Sequence, residues 1–141
     1  MKHEDQCIFC SIANDIAPSI KVYEDELTVT FMDIHPASEG HVLVIPRKHW
    51  VNVLDIDEPS LTAVALRTRL IARAIQAALK PDGMRILQTN GAAARQTVFH
   101  YHVHLIPAWQ GQPLASHGRS PGDPAKIQVV AEKIRQALDA L

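Results

Sequence analysis

The sequence predicts an α+β domain: a five-stranded antiparallel sheet packed with one long central helix and a C-terminal helix. Three observations carry this expectation. Five short runs rich in β-branched residues are separated by turn residues. One long stretch repeats its apolar residues at three- and four-residue steps. Strands grouped around one long helix, rather than alternating with helices, favour antiparallel pairing.

The first two strands are Ile20–Tyr23 and Leu27–Met32, joined by the acidic turn Glu24-Asp25-Glu26. They form a hairpin whose turn lacks the glycine of the strongest hairpin signals. His41–Ile45 is the third strand, opened by Gly40 and closed by Pro46. The long helix runs from about Asp57 to Lys80, with Leu61, Val64, Ile71, Ala74, Ile75 and Ala78 on its apolar face. Asp57 or Ser60 caps its start, Pro59 fits its first turn, and Pro81 with Gly83 stops it. Met84–Gln88 is the fourth strand and Val98–Ile106 the fifth. A loop holding Gly111, Pro113, Gly118, Pro121 and Gly122 leads to Asp123-Pro124. These start a last helix with Ile127, Val130, Ala131, Ile134 and Leu138 inward.

At 141 residues the chain makes one domain, 1–141, long enough to bury a core without disulfides. Its composition, 47% hydrophobic and 21% charged, is that of a soluble globular protein. A net charge of −1 with no block of like charge gives no field for nucleic acid or an anionic membrane. The N-terminus lacks the apolar segment of a signal peptide, and no apolar run is long enough to span a bilayer. The expected location is the cytoplasm, where Cys7 and Cys10 stay reduced and favour metal binding over a disulfide.

The chemistry is concentrated in His100-Tyr101-His102-Val103-His104. On a strand, side chains alternate, so the three histidines share one face, about 6.6 Å apart in sequence along it. Tyr101, Val103 and Leu105 form the opposite, apolar floor. Three imidazoles in a row make a poor core, because each needs a polar partner. Besides solvated histidines, two functional readings follow from the residues. One is a metal site, since zinc is often held by neighbouring histidines. The other is nucleophilic catalysis, in which one imidazole attacks while its neighbours orient it and stabilise charge.

The segment Gln96–Pro107, with its His-x-His-x-His followed by apolar residues, resembles the signature of the histidine-triad (HIT) superfamily. Cys7-Ile8-Phe9-Cys10, Phe31-Met32-Asp33-Ile34, Gly40–Pro46 and Asn90-Gly91 resemble, in order, the blocks of its nucleotide-binding branch. The resemblance implies that His102 is the nucleophile, attacking an α-phosphorus to form a nucleotidyl-histidine. In the family a same-strand carbonyl fixes the tautomer of that residue. It also implies that His104 contacts the phosphate and that His41 is a fourth histidine beside it. Asn90, Gln96 and Thr97 match polar groups on the phosphate side, and Thr97 is placed to pass a proton to the leaving group. Asp33 matches the carboxylate that accepts from the ribose hydroxyls. Phe9, Ile12, Phe31 and Ile34 match the apolar wall around the base. One position departs from the family pattern: Arg95 stands where a glycine usually precedes the Gln-Ser/Thr pair.

Cys7 and Cys10 have the inner spacing of a zinc half-site. In some bacterial members of the branch this pair binds structural zinc with two histidines, which here are His49 and His100. His3, His35 and His117 are read as surface residues. The resemblance thus implies a homodimer, paired through the long helix and a neighbouring strand. The resemblance further implies purine nucleoside 5′-phosphoramidates such as adenosine 5′-monophosphoramidate as substrates, structural Zn2+ and no organic cofactor. Cleavage of dinucleoside polyphosphates is the nearest alternative. Histidine at position 104 favours hydrolysis over the transferase branch, which carries glutamine there. Two other classes stand beside these: a metallohydrolase that uses the histidine row as ligands, and a nucleotide-binding module with little turnover.

Overall fold

The computed structural model describes residues 6–115 and 120–141. His3 and His117 lie outside them. The elements are α1 (Ile8–Ala13), β1 (Lys21–Glu24), β2 (Thr28–Met32), β3 (Val42–Pro46), α2 (Glu58–Leu79), β4 (Gly83–Leu87), a 3-10 turn at Ala92–Ala94, β5 (Val103–Ala108) and α3 (Pro124–Asp139). The sheet order is β1-β2-β3-β5-β4, and every neighbouring pair is antiparallel.

Local chemistry explains the boundaries. The hairpin turn between β1 and β2 does without glycine because Asp25 Oδ1 accepts from the backbone N–H groups of Leu27 (3.0 Å) and Thr28 (2.8 Å). Asp57 caps α2 by accepting from the Ser60 N–H, with Pro59 in its first turn, and Lys80 closes it in the left-handed conformation (φ 52°). Asp123 caps α3, whose first residue is Pro124.

The sheet is covered on both faces. Val42 and Val44 of β3, with Tyr101, Val103 and Leu105, pack against Val64, Ile71 and Ile75 of α2 and Ile127, Val130 and Ile134 of α3. The alternate residues Val29, Phe31, Leu43 and Ile45 pack on the other face against Phe9, Ile12 and Ala13 of α1. Period-two alternation therefore sorts β2 and β3 into two buried faces rather than one wet and one dry. Among the described residues no helix is long and apolar enough to cross a membrane.

The fifth strand is shorter and later than Val98–Ile106. It begins at Val103, because the Tyr101 N–H turns aside to the Trp50 carbonyl (2.6 Å) instead of a neighbouring strand. β3 and β4 pair with it only from Val103 and His104 onward. α1 was not foreseen: six residues are too few for a periodicity, and its N-cap is an unusual one, the Cys7 thiol accepting from the Cys10 N–H. Gly40 has φ +87°, and a Cβ there would collide with the Leu79 side chain. The tight entry to His41 thus requires glycine.

Candidate active site and metal centre

Two groups of side chains meet at the N-terminal end of β5. The first joins α1, the segment after β3 and the segment before β5. Cys7, Cys10, His49 and His100 bring four ligand-type atoms within 4.8 Å of one another. Cys7 Sγ lies 3.4 Å and Cys10 Sγ 3.5 Å from His100 Nδ1, and Cys10 Sγ lies 3.3 Å from His49 Nδ1. His100 Nε2 donates to the Pro46 carbonyl at 2.8 Å. Its proton is therefore on Nε2, and the lone pair of Nδ1 faces the thiols. Burial pushes the His100 pKa down to about 4, against the Pro46 hydrogen bond, which raises it. The imidazole is neutral, as a metal ligand must be.

The second group is a chain of histidines whose tautomers follow from one fixed donor. The Ala37 backbone N–H donates to His41 Nδ1 at 2.9 Å, so that nitrogen carries no proton. The His41 proton is then on Nε2, 3.0 Å from His104 Nδ1, which must accept it. The His104 proton is left on Nε2. Asp33 Oδ2, 3.5 Å from His41 Nε2, adds a negative charge beside this donor. Asp33, His41, His102 and His104 are all buried.

His102 is fixed the opposite way. Its Nδ1 donates to the His100 carbonyl at 2.7 Å, so its Nε2 keeps the lone pair. The His102 and His104 rings are 4.9 Å apart. One basic nitrogen and one N–H donor thus stand side by side, an arrangement suited to attack on an electrophile whose oxygens need a donor. The three histidines of the row are not one ligand set, since His100 points its free nitrogen at the cysteines and His102 spends Nδ1 on a carbonyl. Asp33, His41 and His104 also converge within 4.8 Å, through the donor–acceptor chain just described.

His102 and Asp33 line the same cavity, of about 340 Å³, walled by Phe9, Ile12, Phe31 and Ile34 together with Ile8 and Leu43. Thr97 stands at its lip and is exposed. His35, read from the sequence as a surface residue, lines it too, because the Asp33 carboxylate accepts from the His35 N–H (2.8 Å) and folds that loop against the cavity. A larger open groove, about 710 Å³, between the β1–β2 turn and α2 carries none of the histidines.

Of the residues expected at the site, His41, His104, Asn90 and Gln96 do not line the cavity; His104 lies behind His102 and His41 behind His104. The Gln96 amide accepts from the Gly91 N–H (2.7 Å) and donates to the Val51 (2.7 Å) and Val98 (3.2 Å) carbonyls. Asn90 Oδ1 accepts from the Val53 N–H (2.8 Å) and from the Gln88 amide. Both tie the 90–97 loop to the segment after β3. Arg95 lies in that loop at φ 70°, exposed, in a conformation glycine adopts freely. Ile8 and Leu43 were missed because nothing in a sequence separates a cavity wall from a core residue.

The family model of the HIT domain matches residues 14–111. Protein hit of Bacillus subtilis is 37% identical over 138 residues, covering 95% of each chain. An adenylylsulfatase of Arabidopsis thaliana is 34% identical over 120 residues, 81% of this chain and 61% of its own. Among solved structures, a Hit-like protein involved in cell-cycle regulation from Bartonella henselae superposes with a TM-score of 0.90 at 37% identity, over 97% of this chain and 99% of its own. A zinc-bound histidine triad family protein from Mycobacterium smegmatis does so with a TM-score of 0.85 at 38% identity, over 96% and 94%.

Proposed function

The chain belongs to the HIT-domain family, and from that membership we propose that it hydrolyses nucleoside 5′-phosphoramidates, adenosine 5′-monophosphoramidate among them, through a nucleotidyl-histidine on His102. The observation that carries this reading is the opposed pair of tautomers: a basic Nε2 on His102, which lines the cavity together with Asp33, beside an N–H donor on His104, whose ring packs against it.

His102 Nε2 attacks the α-phosphorus while the phosphorus–nitrogen bond of the substrate breaks. The amine leaves with a proton passed to it at the lip, where Thr97 stands. The His104 Nε2–H stabilises charge on the phosphoryl oxygens, and His41 holds that proton in place by filling Nδ1 from behind. Water then attacks the phosphorus and gives up a proton, which replaces the one the amine carried off; the phosphorus–His102 bond breaks with its electron pair returning to Nε2, and a nucleoside monophosphate leaves. Asp33 accepts from the ribose hydroxyls, and Phe9, Ile12, Phe31 and Ile34 enclose a purine. Asn90 and Gln96 serve the phosphate side through the loop they brace. Positioning and charge stabilisation account for the acceleration, as expected for transfer at phosphorus.

Two cysteine sulfurs, as thiolates, and two imidazole nitrogens suit zinc. Cys7, Cys10, His49 and His100 would hold it with no position left for water, so it supplies a cross-link rather than a reactive group. A reducing cytoplasm keeps the thiols available. The working form is a homodimer joined through α2 and β4, the sheet edge on which Ile86 is half exposed. The test is a panel of phosphoramidates and dinucleoside polyphosphates assayed with the wild type and His102→Ala. The phosphoramidates are expected to be the better substrates, and near-normal turnover by the variant overturns the mechanism.

A further inference from the structure

The Phe9 ring occupies a position that a base-pocket wall does not require. It stands edge to face with His102, with ring centroids 5.1 Å apart and planes at 87°, and with His100 at 6.0 Å and 73°. A third such contact, 5.3 Å at 71°, ties it to Phe31 of β2. It is buried, at 7% exposure. Aromatic pairs prefer this arrangement, and it holds both partners in orientation as well as burying area.

The hydrogen bond from Nδ1 to the His100 carbonyl selects the His102 tautomer, and it holds only while the ring keeps its orientation. A half-turn of the ring about its bond to Cβ breaks that bond and turns a carbon toward the cavity, where the basic nitrogen should be. His104 packs against the ring at 4.9 Å, and Phe9 stands across the ring at 5.1 Å. Phe9 is in turn rigidly carried. It sits in α1 between Cys7 and Cys10, and Arg47 Nη1 donates to the Ala13 carbonyl at the end of that helix at 2.9 Å.

We infer that Phe9 is a positioning residue for His102, keeping the imidazole in the one ring orientation in which Nδ1 meets the His100 carbonyl and Nε2 faces the cavity. This rests on His102 being the nucleophile, and it goes beyond Phe9 as a wall for the base. The two roles separate kinetically. A wall residue acts on substrate binding and moves KM, whereas a positioning residue acts on the reactive geometry and moves kcat.

The experiment is steady-state kinetics of full-length Phe9→Leu on adenosine 5′-monophosphoramidate, with long-range 1H–15N imidazole spectra of histidine-labelled protein to read the His102 tautomer. Expected are a loss of kcat of tenfold or more, larger than the rise in KM that the lost wall contact gives, and a His102 signal shifted from the single Nδ1–H tautomer toward an average of two. Ile12→Ala, on the same helix and the same cavity wall, is expected to raise KM instead. Phe9→Met keeps bulk without the ring and replaces the leucine variant if that fails to fold. A rise in KM with kcat within twofold of wild type, or a loss of kcat with the His102 spectrum unchanged, overturns the inference. Failure of the nucleophile reading itself is separately visible, as absence of a nucleotidyl adduct in the wild type.

Discussion

His102 Nδ1 lies 2.7 Å from the backbone carbonyl oxygen of His100. The residue whose side chain faces two cysteines therefore fixes, through its main chain, which nitrogen of its neighbour is basic. The metal-type cluster and the reactive row are mechanically one unit, although His100 Nδ1 faces the thiols and His102 lines the cavity.

Protein purified without chelators is expected to contain one zinc per chain by elemental analysis. Cys7→Ser combined with Cys10→Ser should remove it and lower Tm by on the order of 10 °C, since a metal that binds only the folded state stabilises it. The rate constant at saturating substrate should survive within a few-fold, because Arg47 and the packing of Phe9, Ile12 and Ala13 still hold α1. His100→Ala should cost more than the cysteine changes. Activity that rises in proportion to added zinc would instead assign the metal a catalytic part.

Removing His41 should act through His104. The His41 Nε2–H that fills His104 Nδ1 is the hydrogen bond that keeps the His104 proton on Nε2, and the variant lacks it. His41→Ala is expected to lower kcat by roughly 10²-fold, the scale of a lost oriented donor. Adding His104→Ala should cost little more, because the two act in series. Additive losses in the double variant would show that they work independently.

Arg95 at φ 70° carries the strain of a left-handed side-chain residue without a buried contact to repay it. Arg95→Gly should stabilise the protein by about 0.5–1 kcal/mol in urea unfolding, the relief exceeding the extra entropy of glycine in the unfolded chain. If stability is unchanged and KM rises severalfold, the guanidinium is serving the substrate phosphate instead.

The proposed dimer places Ile86 of β4 in contact with a second chain. Ile86→Lys should convert the particle measured by light scattering at micromolar concentration from dimer to monomer, because a charge facing an apolar partner loses its solvation. A monomeric wild type under the same conditions removes this assembly from the account.

Much of this was legible in the sequence, for reasons that differ by element. α2 announced itself because 22 residues give several turns over which a 3.6-residue period accumulates. The inward floor of Tyr101, Val103 and Leu105 followed from alternation and is found in the core. The start of β5 did not follow, because the residue that diverts the Tyr101 N–H is Trp50, half the chain away. Gln96 illustrates the same limit: its type suited a substrate contact, but three backbone groups brought close by folding engage its amide. α1 was too short to show a period, and the contact of Phe9 with His102 joins residues far apart in sequence. The opposed tautomers of His102 and His104 depend on the Ala37 amide and the His100 carbonyl, which only the folded backbone places.

The most direct test of the central claim is to mix enzyme with substrate, quench with base within the first turnover, and map the adduct by peptide mass spectrometry. The account predicts one AMP moiety attached to His102, absent from His102→Ala, whose turnover should fall by roughly 10³-fold or more. A fully active wild type with no covalent adduct, or an adduct on His41, His100 or His104, would contradict it.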